Sequence, residues 1–318
     1  MEERNDLEYR RYLQRRIRRR KRRRKVMIAR TITAVLGLCL LAGIGFGIGK
    51  LSNMMGTSKG ADKQEARQSE KPSPTPFHVD VPEGYESIYK ELFAMREEYP
   101  KIDDVLRSLS QYPEDVLELL AKNPETLQFA LDYPKNVGAG VALSEEEGAI
   151  TQEELSQNIP CFQQWDQRWG YVNYGNNIIA INGCGPTCLS MVYTGLTGKT
   201  DYTPSKMANF SIENNYYTVD AGTSWNLMAS GAQKLGLKVE KLGISEDSIR
   251  QQLRAGKVII SSMVPGDFTT TGHFIVLRGL EGEDSVLIND PNSIANSQKT
   301  WELSTVVKQI KAAWGYTA

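Results

Sequence analysis

Gly183-Cys184-Gly185-Pro186-Thr187-Cys188 runs directly into the apolar stretch Leu189-Ser190-Met191-Val192-Tyr193. Proline is well suited to the first turn of a helix, where its missing N–H costs nothing, so the run reads as a helix start extending to about Gly195. Gly183 and Gly185 are expected to let the backbone bend sharply and approach a substrate. Cys184 then sits at the positive end of the helix dipole, which favours thiolate, whereas an ordinary thiol with a pKa of ~8.5 stays mostly protonated at neutral pH. Cys188 lies one turn on, pointing back into the core, and reads as a small buried hydrophobe.

A thiolate nucleophile needs an imidazole partner. The C-terminal half of the chain holds a single histidine, His273, in Gly272-His273-Phe274-Ile275-Val276-Leu277, a run suited to a strand buried on both faces. Asp290 follows seventeen residues later, after a turn at 281–284 and the strand-like Ser285–Asn289. A hairpin of that length returns Asp290 beside His273, where a carboxylate orients the ring and stabilises imidazolium; Asn289 is the nearest substitute.

Around this constellation the order is a loop bearing Trp165, Trp169 and Tyr171, the Cys184 helix, then helices at 224–235 and 245–255, the latter ended by Gly256. Strand-like runs follow at 258–264, 273–280 and 285–289, and a closing helix is expected over 304–314. Helices first and an antiparallel sheet afterwards make an α+β fold over residues 157–318.

The net charge of zero conceals an asymmetry: residues 1–30 carry fourteen Lys/Arg against four Asp/Glu. Residues 31–49 contain no charge, and a helix of that length covers roughly 28 Å, close to the ~30 Å hydrocarbon core of a bilayer. Positive charge on the N-terminal side orients a single-pass signal-anchor with residues 1–30 cytoplasmic and the rest extracellular; a cleaved signal peptide is the alternative, with an unusually long n-region and no A-x-A-like site after the apolar run. The basic tail is expected on anionic lipid rather than nucleic acid. Gly43, Gly45, Gly47 and Gly49 hold overlapping G-x-x-x-G spacings that permit a dimer through the membrane helix. Four cysteines in 318 residues do not make a disulfide framework, so a hydrophobic core must stabilise the exported part.

Residues 50–82 are polar, proline-rich at the end and without apolar periodicity, as expected of a disordered stalk. Residues 83–135 carry apolar residues at helical spacing, punctuated by Tyr99-Pro100, Tyr112-Pro113, Asn123-Pro124 and Tyr133-Pro134, each expected as a joint between short helices. Residues 136–156, rich in Gly, Ala, Ser and Glu, read as a linker.

Taken in order, Ile159-Pro160-Cys161-Phe162-Gln163-Gln164-Trp165-Asp166, the GCGPTC run, Gly222-Thr223-Ser224-Trp225, Gly272-His273-Phe274 and Asn289-Asp290-Pro291-Asn292 resemble the stand-alone relatives of the bacteriocin-leader-processing cysteine peptidases. The resemblance covers about residues 157–315. It implies a papain-like fold with Cys184 as nucleophile, His273 as base and Asp290 as orienter, and no cofactor. The family's transporter-linked members place an oxyanion-hole glutamine shortly before the cysteine, but residues 176–182 contain none. Gln164 matches the upstream glutamine of the stand-alone members and is the oxyanion candidate, with Gln163 next. Trp165, Gly222 and Trp225 are candidates for substrate contact. No phosphate-binding G-x-x-x-x-G-K-[ST] loop occurs, so cleavage coupled to export by this chain is unsupported.

The expected activity is therefore that of a membrane-anchored extracellular cysteine peptidase acting on peptides or cell-wall cross-links. Two other classes compete. One is a non-catalytic peptide- or cell-wall-binding module on the same fold. The other is a metal site of Cys184, Cys188 and His273, for which a structural zinc lacks a clear fourth ligand apart from Cys161.

Overall fold

The computed structural model describes residues 79–137, 149–219 and 222–318. The basic tail, the expected membrane span, nearly all of the stalk (to residue 78) and most of the expected linker lie outside them. Among the described residues no helix is long and apolar enough to cross a membrane.

The first part is helical: α1 (Glu86–Ala94), α2 (Ile102–Leu106), α3 (Glu114–Lys122) and α4 (Leu127–Asn136). Ile88, Leu92, Val105, Leu106, Leu109, Val116, Leu117, Leu120 and Ala130 are buried as their spacing predicts, while Phe93 is exposed. Three of the four X-Pro pairs are joints. At Asn123-Pro124 the asparagine is extended and its side chain accepts from Glu125 N. Tyr133-Pro134 is not a joint: Pro134 lies inside α4, in its last turn. One lost backbone bond near a helix end is tolerated where Phe129, Ala130 and Tyr133 anchor the helix in the core.

Within the stretch expected as linker, α5 (Gln152–Leu155) forms a single turn closed by a capping box between Thr151 and Glu154. Glu154 also pairs with Arg168 at 2.6 Å, and Asp166 holds the same guanidinium at 2.8 Å. Short strands β1 (Asn173–Tyr174) and β2 (Asn177–Ile178) lead into α6 (Ile179–Asn182) and α7 (Cys184–Thr197). Then come α8 (Pro204–Glu213), the ribbon β3 (Tyr217–Thr218) and β4 (Gly222–Thr223), and α9 (Ser230–Lys234). The helix α8 has its own start signal, Thr203 capping Lys206 N with Pro204 at the first position.

The remainder is β5 (Lys238–Lys241), α10 (Glu246–Arg254), β6 (Val258–Met263), β7 (His273–Glu281), β8 (Ser285–Asn289), α11 (Ile294–Gln298), β9 (Thr300–Glu302), α12 (Leu303–Val307) and β10 (Ile310–Thr317). They build a six-stranded sheet in the order β5-β10-β6-β7-β8-β9, antiparallel throughout. The continuous apolar runs of its central strands serve two cores, because successive side chains point to opposite faces. Ile260, Phe274, Val276, Trp314 and Tyr316 pack in the core that includes Leu189 and Val192 of α7. Ile259, Ile275, Leu277 and Ala313 pack with Ile249 and Leu253 of α10 and with Leu303 and Val306 of α12.

The closing helix expected over 304–314 is corrected: only its first turn is helical, and Ile310–Thr317 is a strand between β5 and β6. Ala312 and Ala313 read as helix formers, but here they fill the two cores on either side of a central strand. At Gly315 an added Cβ would stand 3.2 Å from Leu242. Tertiary packing overrides local propensity here.

Candidate active site

Cys184 is the first residue of α7, with Gly183 at the cap and no side chain capping the helix. Its neighbouring glycines are there for space rather than for bending: neither has a positive φ. A Cβ on Gly183 would lie 2.5 Å from the Ile179 carbonyl oxygen, and one on Gly185 would lie 2.6 Å from the Thr223 side chain. Gly222-Thr223 thus packs onto the start of the cysteine helix. Thr223 Oγ1 is in turn 2.9 Å from the hydroxyl of Tyr174, whose other partner is Ser211 Oγ at 2.8 Å. Tyr174 stands close enough to feel the charge of Cys184, and burial first of all pushes its phenol up to about 12. Nothing in the sequence marks Tyr174 as part of the site.

His273 opens β7, opposite Met263 of β6. The β7–β8 pairing places Val276 opposite Asn289, so the residue after β8 returns to the start of β7. The imidazolium Nε2–H donates to Asp290 Oδ1 at 2.7 Å, with both side chains buried. Asn289 does not compete for the ring, because its amide donates to the carbonyls of Ile159 and Pro160, both at 3.1 Å.

Burial disfavours the imidazolium of His273. The charge and hydrogen bond of Asp290 outweigh it, with a further hydrogen bond and charge from Cys184, and the ring is pushed up to about 10. With Nε2 engaged by Asp290, Nδ1 is the nitrogen left for the thiol. Asp290 is itself penalised by burial, but the imidazolium and the donors Asn296 Nδ2 and Asn292 N hold it below the usual carboxylate range. Those donors stand 2.9 Å from Oδ2 and 2.9 Å from Oδ1 respectively.

Gln164 is tied to both arms of this arrangement. Its Nε2 donates to Ala180 O at 2.7 Å, in the turn just before Gly183, and its backbone N–H donates to Pro291 O at 2.6 Å, next to Asp290. Gln163 points elsewhere, with Nε2 3.4 Å from Cys161 Sγ. Gln163 and Cys161 line a separate cavity of about 640 Å³ with Arg278, Asn289 and Ser297. Arg278 is the bulged residue of β7, skipped in the pairing with β8. Burial pushes both Cys161 and Cys188 up, Cys188 well up, which makes them poor nucleophiles.

The candidates for substrate contact separate. Trp165 donates from its indole to Asn292 O at 3.1 Å, beside the Asp290 turn. Trp225 is 38% exposed, edge-on to Trp314 with ring centroids 5.6 Å apart. Gly222 has φ +71, at the start of β4. Among the described residues no group of three His, Cys, Asp or Glu side chains is placed to hold a metal ion.

The sequence model of the Peptidase_C39 like family matches residues 156–318, the span that holds α7, the sheet and every residue of this site. The chain belongs to the C39-like peptidase family. Its C-terminal half is a papain-like cysteine peptidase domain of α+β architecture, with the helix bearing Cys184 packed on one face of the sheet that carries His273. A comparison with curated proteins returned no match. The C39-like match starts after α5, so α1–α4 are an addition to the family's domain.

Proposed function

We propose that this C39-like protein is an extracellular, membrane-anchored cysteine peptidase working through Cys184, His273 and Asp290. The observation that carries the reading is the 2.7 Å bond from His273 Nε2 to Asp290 Oδ1, which leaves Nδ1 for a thiol at a helix N-terminus. Cys184 Sγ attacks the substrate carbonyl carbon, and the carbonyl electrons move to oxygen. The tetrahedral intermediate collapses as the C–N bond breaks and His273 gives its proton to the leaving amine. Water then attacks the thioester, with His273 taking its proton, and the thiolate departs to release the acid. The Cys184 backbone N–H and the second N–H of Gln164 Nε2 steady the oxyanion, the first N–H being bonded to Ala180 O.

Charge asymmetry across residues 1–50 supports the anchored topology, with the basic tail against anionic lipid in the cytoplasm and the catalytic domain outside. The substrate is then a peptide or cell-wall peptide at the cell surface. The test compares surface peptides from cells carrying the wild-type chain or Cys184→Ala. New peptide termini present only with the wild type are expected. Identical profiles favour the non-catalytic binding module and overturn the peptidase.

A further inference from the structure

The α1–α4 segment lies outside the family's domain, yet it reaches the turn that holds Asp290. Glu125, on the turn between α3 and α4, spreads its carboxylate over the first two residues of α11. Oε2 accepts from Ile294 N and Oε1 from Ala295 N, both at 2.8 Å and across about 170 residues of sequence. Asn123 donates from Nδ2 to Asn292 O, the carbonyl that also receives the Trp165 indole. The Asn123 side chain also braces the Glu125 backbone, its Oδ1 accepting from Glu125 N at 3.1 Å.

The same turn, residues 292–297, makes nearly every contact of Asp290 apart from His273. Asn292 N and Asn296 Nδ2 hold its carboxylate, and Ser297 Oγ accepts from its backbone N–H at 2.8 Å. Ser293 closes the turn, capping Asn296 N at 3.1 Å and accepting from Ser297 Oγ at 2.8 Å. A continuous path of hydrogen bonds therefore runs from Glu125 and Asn123 through residues 292–297 to Asp290 and His273. Orienting groups act only as well as their own support is fixed.

We infer that Glu125 and Asn123 are positioning residues: the helical segment clamps the 292–297 turn and thereby sets Asp290 against His273. The inference rests on the peptidase reading for its effect on chemistry, but not for its effect on the turn. If Glu125 is truncated, two backbone donors of α11 turn to water and the turn relaxes. Asp290 then supports the imidazolium less well, and the ring is set less firmly beside Cys184.

The test uses the full chain as wild type, Glu125→Ala, Glu125→Gln, Asn123→Ala and the surface control Lys122→Ala. Site-resolved iodoacetamide labelling of Cys184 is followed across pH, together with backbone hydrogen exchange. In Glu125→Ala, labelling of Cys184 at pH 6 is expected to slow about tenfold, as for loss of charge-assisted hydrogen bonds. The alkaline limb of the imidazolium should shift to lower pH, and the amides of Asp290, Ile294 and Ala295 should exchange about tenfold faster. Amides of α7 should not move. Glu125→Gln keeps one acceptor oxygen and should fall between, which preserves the test if Glu125→Ala does not fold.

Unchanged exchange at Asp290 in folded Glu125→Ala or Glu125→Gln overturns the clamp. Faster exchange with an unaltered Cys184 pH profile overturns its role in positioning. If wild-type Cys184 labels no faster than Cys161, the peptidase reading fails instead, and the clamp is still decided by exchange.

Discussion

Asp290→Asn keeps the shape of the side chain and removes its charge, which makes it the sharpest perturbation of the His273 pair. In the native protein burial opposes the imidazolium, and the Asp290 carboxylate leads the causes that carry it to about 10. Without that charge the burial penalty remains, so the ring should titrate near the ordinary 6.5 or below. The difference amounts to on the order of 5 kcal/mol of imidazolium stabilisation, at about 1.4 kcal/mol for each tenfold change. The chain has only two histidines, so ring resonances in NMR are few and His273 is identified by the signal lost in His273→Ala. Wild type should hold His273 charged to about pH 10, and Asp290→Asn should release the proton by neutral pH. Cys184 adds a hydrogen bond and charge to the ring, so Cys184→Ser is measured beside both. Equal midpoints with and without the Asp290 charge would refute the reasoning.

The same pair sets a pH window for stability. A raised His273 contributes fully below its ordinary value and loses the contribution as pH rises through about 10. A depressed Asp290 contributes above its ordinary value and loses the contribution as pH falls through its lowered one. Thermal midpoints should therefore decline beyond both limits in wild type, and Asp290→Asn should flatten this dependence; an unflattened curve would contradict it. Arg168→Ala strips Glu154 and Asp166 of a mostly buried guanidinium that also lies 4.2 Å over Trp169, and should cost about 3–5 kcal/mol in urea unfolding. A cost under 1 kcal/mol would make this an ordinary surface pair. Gly185→Ala drives a methyl against Thr223 and should cost about 1–3 kcal/mol while disturbing Cys184 labelling, whereas a neutral effect would show that Thr223 yields freely. Gln164→Ala should lower kcat by about 10²–10³ and leave Ala180 O without its donor, with Gln163→Ala far milder; equal effects would remove Gln164 from the oxyanion site.

The parts of the molecule that were legible in sequence are those where local signals and packing agree. Cys184 at a helix start, the buried β6 and β7 strands and the hairpin returning Asp290 to His273 all follow from proline placement, apolar runs and turn length. Gly185 is legible as special but not for the right reason, since the close approach of Thr223 comes from 38 residues away. The last strand was unreadable because Ala312, Ala313 and Gly315 suit a central position between two cores, which no local propensity encodes. Pro134 does not end its helix because a proline stop in the last turn is weaker than the burial of Phe129, Ala130 and Tyr133. Asn123 is legible as a joint, but its reach and that of Glu125 to residues 292–295 carry no signal: their partners are backbone groups about 170 residues on, and backbone groups have no sequence signature.

The most direct measurement is site-resolved labelling of the native full chain by iodoacetamide at pH 6, with mass spectrometry of each cysteine peptide. A Cys184 thiolate paired with His273 predicts labelling at Cys184 at least about tenfold faster than at Cys161 or Cys188, and loss of that advantage in His273→Ala. A Cys184 that reacts no faster than the same thiol in the denatured chain, and is indifferent to His273, would contradict it.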